Sequence, residues 1–224
     1  MIGGSETHHI TRSFSSLRVN PDRMLAAFNQ LALIGATSDG GVDRVTFSET
    51  HLAARKWFRE EIERSGLEFH TDGAGNHSAI LPSSKDDDGR AAPHGFHGAY
   101  REVPIGGDHT LLIGSHLDSV PNGGRFDGAL GVMAALEVLK TVKESGINLK
   151  LNLEAIDFTD EEGTLAGLLG SAALAGHLSQ QDLDSPRGGR DKLVEGMKRA
   201  GLSDQSMLSA VRPKDSLAGY LELH

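Results

Sequence analysis

The sequence predicts an α/β protein in which helices flank a mixed, largely parallel β-sheet. Two apolar runs, TLLIGSHLDSV from residue 110 and LKLNLEAIDFT from residue 149, have the length and composition of strands buried on both faces. Between them, residues 128–145 place apolar side chains along one helical stripe, and Gly146 closes that helix. A strand, a helix and a second strand of these lengths form a right-handed crossover, which belongs to a parallel or mixed sheet.

The residues before this unit predict two helices and a hairpin. Residues 21–34 read as a helix with Asn20 as its N-cap and a proline at its first position. A second helix begins at Ser48 and stops at Gly66, with apolar residues at four-residue spacing on one face. The extended runs LEFHT and NHSAIL follow, and the Gly- and Asn-containing turn between them indicates a hairpin at the sheet edge.

Residues 83–108 are rich in Gly, Asp, Pro and His and have no apolar periodicity, so we expect a surface loop insertion. His94 and His97 lie in it, and their three-residue gap in a structureless loop is a weak metal motif, so we interpret them as loop residues. The remaining pattern predicts two helices and a third strand, at residues 164–176, 191–200 and 218–224.

Composition excludes several classes of protein. The 224 residues include no cysteine, so a disulfide framework and a thiolate metal site are both excluded. With 31 acidic and 22 basic residues the formal charge is −9, which argues against a nucleic-acid partner. The first residues, MIGGSETHHITRSF, do not read as a signal peptide, and no stretch approaches a membrane span. We therefore expect a soluble cytoplasmic protein.

Polar residues follow the first buried strand. His116 and Asp118 are two residues apart, so they share a face, and the Asp118 carboxylate could hold the second imidazole nitrogen of a metal-binding His116. A histidine at a strand end is also common as an ordinary hydrogen-bonded polar residue.

Asp127 precedes the central helix, and Glu161 and Glu162 follow the second buried strand. Asp127 could be an ordinary N-cap. Gly128 and two further glycines around it suggest instead that the backbone leaves room for the close approach of an ion or ligand. Glu161 and Glu162 could be acids at a helix start, or one could bind a metal while its neighbour points into a cleft as a base. Together with His116, these residues indicate two divalent ions about 3.5–4 Å apart, bridged by one carboxylate.

At these residues the sequence resembles the metal-dependent hydantoinase/carbamoylase amidases, which include N-carbamoyl-L-amino-acid hydrolases, allantoate amidohydrolases and β-ureidopropionases. The matching segments are GSHLDSVPNGGRFDGALGV and DFTDEEGT, preceded by GGVDRVTFS, ARKWF and DGAGN. The resemblance covers nearly the whole chain outside the insertion.

The resemblance implies a general base, Glu161, and an orienting acid, Asp118. It implies metal ligands at His116, Asp127 as the bridging carboxylate, Glu162 and His224. The cofactor would be two divalent metal ions, and zinc, manganese, cobalt and nickel all suit such ligands.

The resemblance also implies how the chain is organised. Residues 1–224 would be the N-terminal portion of a zinc-exopeptidase-like catalytic domain, C-terminally incomplete, with the lid domain absent. A full-length relative would form a homodimer through that lid. One departure is that the Arg-Phe pair usual after the Glu-Glu-Gly segment is replaced here by Leu165 and Ala166.

The function implied is metal-dependent hydrolysis of a non-peptide carbon–nitrogen bond in a small ureido or N-carbamoyl substrate: an N-carbamoyl-L-amino acid, β-ureidopropionate or allantoate. Two alternatives remain open. One is a dinuclear aminopeptidase or carboxypeptidase of the same clan. The other is a metal-binding fragment without catalytic activity, because the truncated site would lack one histidine and a lid to exclude water.

Overall fold

The computed structural model describes residues 16–83 and 109–224, and within these ranges it confirms the α/β fold. One sheet has the strand order β1-β2-β4-β3-β5. The strands are β1 Glu68–Thr71, β2 His77–Leu81, β3 Thr110–His116, β4 Asn152–Phe158 and β5 Leu217–Leu221. β4, β3 and β5 are parallel neighbours, whereas β2 is antiparallel to both β4 and β1. Four strands therefore share one direction, which is the mixed, largely parallel sheet that the sequence predicts.

The helices begin where capping residues are available. They are α1 Pro21–Ala32, α2 Glu49–Arg64, α3 Ala129–Ser145, α4 Leu169–Leu174, α5 Gln180–Asp184, α6 Arg190–Ala200 and α7 Asp204–Leu208. The Asn20 side chain accepts a hydrogen bond from a first-turn amide of α1, as predicted, and the Ser48 side chain does the same for α2, which begins where the sequence predicts. α3 ends at Gly146, whose left-handed conformation suits glycine. None of the helices in the described ranges has the length and apolar character needed to cross a membrane.

The central strand β4 is buried along its whole length, so it contributes to a core on each face of the sheet. Leu153 and Ala155 belong to one core with α1, α2 and α3. Ile156 and Phe158 belong to a smaller core on the other face, where Leu174 of α4 joins them. Alternate residues of β4 face opposite sides of the sheet and pack into both cores, so the strand is firmly held. The polar residues that follow β4 therefore begin at a rigid, buried edge of the sheet.

Three sequence-based expectations need correction or fall outside the structure. The helix predicted at 164–176 is wrong in its first half, because only Leu169–Leu174 is helical and residues 160–168 form a non-helical turn. The last strand ends at Leu221, so residues 222–224 lie beyond it rather than within it. Residues 84–108, with His94, His97 and nearly all of the predicted insertion, lie outside the described ranges.

Candidate metal centre

The ends of three parallel strands bring the predicted polar residues to one edge of the sheet. β3 ends at His116, β4 is followed by the turn that carries Glu161 and Glu162, and β5 is followed by His224. Asp127 lies in the loop before α3. Since carboxyl ends of parallel strands meet at one edge, residues more than 100 positions apart become neighbours.

The Nε2 atom of His116 is the centre of this group. It lies 3.3 Å from Nε2 of His224, 3.4 Å from Oε2 of Glu161 and 3.6 Å from Oδ1 of Asp127. Oδ1 of Asp127 is also 3.5 Å from Nε2 of His224. His116, Glu161 and His224 each offer one ligand atom, and these atoms all lie within 4.8 Å of one another.

The tautomer of His116 follows from its other nitrogen. Nδ1 lies 3.0 Å from the main-chain carbonyl oxygen of Asp118. A carbonyl oxygen can only accept, so Nδ1 carries the proton and Nε2 presents a lone pair to the cluster. The expected contact with the Asp118 carboxylate is longer, at 3.6 Å, so the main chain rather than the side chain of Asp118 is the nearer partner.

This arrangement suits a cation. The Nε2 lone pair of His116 faces two carboxylate oxygens and a second imidazole, and such electron-rich groups are stabilised together by a proton or a metal ion. Burial of the His116 ring lowers its pKa, but the charges of Asp118, Glu161 and Glu162 outweigh burial and raise the pKa above its ordinary value. The residues therefore fit a divalent ion held by imidazole and carboxylate ligands.

Asp118 connects the ends of β3 and β4. Its carboxylate accepts from the main-chain amides of Glu161 and Glu162, each at 3.3 Å, and lies 3.0 Å from the Thr46 hydroxyl. The side chain is fully buried, and burial raises the pKa of Asp118 to about 7, against the lowering effect of His116. Asp118 thus positions both glutamates through their main chain.

Thr46 was not identified from the sequence as a site residue. Its hydroxyl lies between two buried carboxylates, 3.0 Å from Oδ2 of Asp118 and 2.9 Å from Oδ1 of Asp160. A hydroxyl has one hydrogen, so it can donate to only one of them, and the other contact is a hydrogen bond only when that carboxyl carries a proton. This geometry agrees with the raised pKa of Asp118.

The Asp160 carboxylate organises the turn that carries the two glutamates. It accepts from the main-chain amides of Leu165, Ala166 and Gly167, at 3.1, 2.6 and 3.0 Å. Asp160 itself has a positive φ of 53°, which non-glycine residues rarely adopt. These bonds offset the strain and fix residues 160–168 around one buried charge.

Asp127 is not the N-cap of α3. That position is Gly128, with no side-chain hydrogen bond, so the Asp127 carboxylate remains available to the two histidines. A Cβ on Gly128 would lie 2.4 Å from Nε2 of His116, which shows that this glycine clears space for the imidazole ring. The loop is held in place by Phe126, whose ring stacks on Phe28 of α1 with centroids 5.0 Å apart.

Glu161 and Glu162 diverge, as expected for adjacent residues after a strand. Glu161 is the glutamate that lies beside His116, whereas Oε1 of Glu162 accepts from the Val120 amide at 3.4 Å. The resemblance assigns the ligand role to Glu162 and the base role to Glu161, and this distribution stays a prediction.

The sheet topology and the cluster at its carboxyl edge define the class: an α/β domain with a candidate His–carboxylate metal centre. Residues 100–188 match the family model Peptidase family M28. The chain is 33% identical over 208 residues to N-carbamoyl-L-amino acid amidohydrolase of Geobacillus stearothermophilus, covering 92% of this chain and 46% of the relative. It is 32% identical to allantoate amidohydrolase of Bacillus subtilis (strain 168), covering 87% of this chain and 42% of that protein.

The fold agrees with these sequence matches. A hydantoinase/carbamoylase family amidase from Burkholderia ambifaria superposes with a TM-score of 0.74 at 29% identity, covering 93% of this chain and 46% of the solved one. The resemblance to the hydantoinase/carbamoylase amidases is therefore confirmed over most of this chain. The chain spans less than half the length of these three proteins.

Proposed function

We propose that this chain carries the metal-binding part of a hydrolase that cleaves non-peptide carbon–nitrogen bonds in linear amides. The observation that carries the proposal is the convergence of His224, Glu161 and Asp127 on the lone pair of His116. The substrate class we propose is an N-carbamoyl amino acid or another ureido compound, such as β-ureidopropionate or allantoate. The names of the two amidohydrolases above support this class.

We assign His116, Asp127, Glu162 and His224 as ligands of two divalent ions: zinc, manganese, cobalt or nickel. The position of Asp127 within 3.6 Å of both imidazoles supports its role as the shared carboxylate. When bound, such ions polarise a carbonyl oxygen and lower the pKa of a water.

Glu161 has the role of general base. Its carboxylate takes a proton from the water that adds to the ureido carbon and delivers it to the leaving nitrogen as the carbon–nitrogen bond breaks. Asp118 orients the site through its carbonyl contact with His116 and its carboxylate contacts with the amides of the two glutamates. Breaking one carbon–nitrogen bond of an N-carbamoyl amino acid releases one nitrogen and leaves the other as a carbamate, which then loses carbon dioxide, so the products are ammonia, carbon dioxide and the amino acid.

A second candidate function is supported by the match of residues 100–188 to Peptidase family M28. In this alternative the protein is a dinuclear aminopeptidase or carboxypeptidase that uses the same centre on a peptide bond. A third candidate, metal binding without catalytic activity, is supported by the ligand group of His116, Glu161 and His224 alone. We further propose that the protein acts in the cytoplasm, and that a full-length form adds a lid domain and dimerises through it.

The test measures metal content and hydrolysis together. The 224-residue chain and a version extended through any downstream reading frame are incubated with N-carbamoyl amino acids, allantoate and dipeptides. Turnover of the ureido compounds, absent in Glu161→Gln, supports the proposal. Turnover of dipeptides alone would favour the peptidase, and metal binding without turnover by either version would favour the inactive metal-binding alternative.

A further inference from the structure

The Arg187 side chain contacts the turn at 160–168, which carries Glu161 and Glu162, from its solvent side. It lies in the connection between α5 and α6, and its Nε donates to the carbonyl oxygen of Gly163 at 3.0 Å. Its Nη2 donates to the same oxygen and, at 3.3 Å, to the carbonyl oxygen of Glu162. One guanidinium therefore holds the two consecutive carbonyl groups that directly follow Glu161.

The turn needs such support because its backbone is strained. Four of its residues have positive φ: Asp160 at 53°, Gly163 at 69°, Gly167 at 89° and Leu168 at 51°. Two of these are not glycine, and such conformations persist only where the surroundings hold them. The Asp160 carboxylate holds the turn from inside through its bonds to three amides. Arg187 supplies the complementary contact, with carbonyl oxygens, from the outer side.

The fit between the two segments is close over consecutive residues. A Cβ on Gly163 would lie 2.1 Å from Nη2 of Arg187, and a Cβ on Gly188 would lie 2.4 Å from the carbonyl oxygen of Thr164. The Gly188 amide also donates to the carbonyl oxygen of Leu165 at 2.6 Å. The segment that carries Arg187 is thus docked on the turn by both its side chain and its main chain.

We propose that Arg187 is a positioning residue for the Glu161–Glu162 pair. By holding the carbonyls of Glu162 and Gly163, it fixes the two peptide planes that directly follow the Cα atom of Glu162, and so the end of the segment that carries the two carboxylates. The consequence for metal binding rests on the proposed function, whereas the consequence for the turn does not. The sequence gives no local signal for this role, because Arg187 is 24 residues away from Gly163 and lies in a Pro-, Gly- and Arg-containing connection.

The experiment compares Arg187→Met and Arg187→Lys with a matched control, Arg190→Met. Arg190 is a nearby arginine whose partners are Asp204 and the Leu183 carbonyl, away from the turn. Amide hydrogen exchange is measured on the chain without added metal, and zinc affinity by titration calorimetry. We expect faster exchange in Arg187→Met at the amides that Asp160 binds, and zinc affinity lower by about tenfold, the lower end of the effect of losing an outer contact. Arg187→Lys should partly restore both the slow amide exchange and the zinc affinity. Arg190→Met should change neither quantity.

The outcomes separate the two proposals. Exchange within 160–168 and zinc affinity both unchanged in Arg187→Met would overturn the positioning role. Faster exchange with unchanged zinc affinity would also overturn it, because the turn would then move without effect on the ligands. If exchange is faster in Arg187→Met but neither the wild type nor any variant binds zinc, Arg187 does hold the turn. That result would overturn the metal-dependent function instead.

Discussion

Gly128→Ala tests whether the space beside the start of α3 belongs to the His116 ring. Gly128 has φ +60° and ψ −50°, and an added Cβ would lie 2.4 Å from Nε2 and 2.5 Å from both Cδ2 and Cε1 of His116. Atoms do not approach this closely in folded proteins, so either the imidazole must rotate away or the start of α3 must shift. Both responses displace the atom at the centre of the metal cluster.

The expected cost has two parts. A positive φ in a residue with a Cβ costs about 1–2 kcal/mol. Forcing an extra methyl group into a filled space costs about 1–3 kcal/mol more. The free energy of unfolding should therefore fall by about 2–5 kcal/mol, which for a chain of this length corresponds to a decrease in Tm of roughly 4–20 °C.

Gly146→Ala is the matched control. Gly146 also has a positive φ, 67°, at the other end of the same helix, but nothing lies within 4 Å of an added Cβ. This variant should show only the cost of a left-handed backbone, about 1–2 kcal/mol, so the difference between the two variants measures the clash with His116 together with the backbone strain of ψ −50° at Gly128. Urea denaturation gives the unfolding free energies, and calorimetry should show weaker zinc binding in Gly128→Ala alone.

The reasoning would be refuted if Gly128→Ala unfolded at the same urea concentration as Gly146→Ala and bound zinc as tightly as the wild type. That result would mean that the ring of His116 can leave its position without cost, and that the cluster does not depend on it.

Four further variants address the carboxyl groups. Glu161→Gln should reduce turnover by about 10²–10⁴-fold, the usual contribution of a general base, and keep zinc affinity, whereas Glu162→Gln should weaken zinc binding. The reverse pattern in rate and calorimetric measurements would exchange the two roles. Asp118→Asn should make the free energy of unfolding, measured without added metal, depend less on pH. Burial raises the pKa of Asp118 from 3.8 to about 7, so between these values the folded chain holds a proton that the unfolded chain has released, and stability falls as pH rises. The urea midpoint is measured at about pH 5 and at about pH 8. An equal change between these pH values in the variant and in the wild type would contradict this expectation. Asp160→Asn replaces one of the two carboxylate oxygens, both of which accept from main-chain amides, by an NH2 donor, so it should lower the unfolding free energy by about 2–3 kcal/mol, and an unchanged urea midpoint would exclude the role of Asp160 in the turn.

The central part of the fold could be predicted because its signals are local. The two apolar runs at 110 and 149 carry the burial pattern of central strands, and Gly146 marks the end of α3 by its own conformational freedom. The capping residues Asn20 and Ser48 act within three residues of themselves. Each of these features depends on neighbouring residues in the chain, which is the information that periodicity and capping rules use.

The turn at 160–168 could not be predicted in the same way. Its small and leucine-rich composition favours a helix, but the Asp160 carboxylate takes the amides of Leu165, Ala166 and Gly167. An acidic side chain that binds nearby amides competes directly with helix formation. The competition is decided by burial of Asp160 beside Thr46, a residue 114 positions earlier.

The orientation of Asp118 shows the same limit within the site. The two-residue spacing places it on the face of His116, yet its carboxylate is directed to the amides of Glu161 and Glu162 in the turn that follows β4. Spacing along one strand specifies a shared face, whereas the choice between an imidazole nitrogen and an amide of the turn after a neighbouring strand depends on tertiary structure.

The two halves of the site differ in how firmly the scaffold holds them. The residue after His116, Leu117, has its amide bound by the buried Asp157 carboxylate at 2.8 Å and its carbonyl bound by the buried Arg44 guanidinium at 2.9 Å. Asp157 is in turn paired with the buried Arg55 at 2.8 Å. Breaking such buried, charged contacts is costly, so the His116 side is fixed in advance of any ligand.

The turn that carries the glutamates is held on its inner side by the buried carboxylates of Asp118 and Asp160, but on its outer side by contacts nearer to solvent. Arg187 is an exposed residue, and its bonds are to the carbonyls of the turn rather than to a buried charge. Exposed contacts exchange with water more readily, so movement at the site should be concentrated in residues 160–168, with the imidazole of His116 as the fixed reference. The affinity for a divalent ion should then depend more on how well this turn is held than on any further stabilisation of β3.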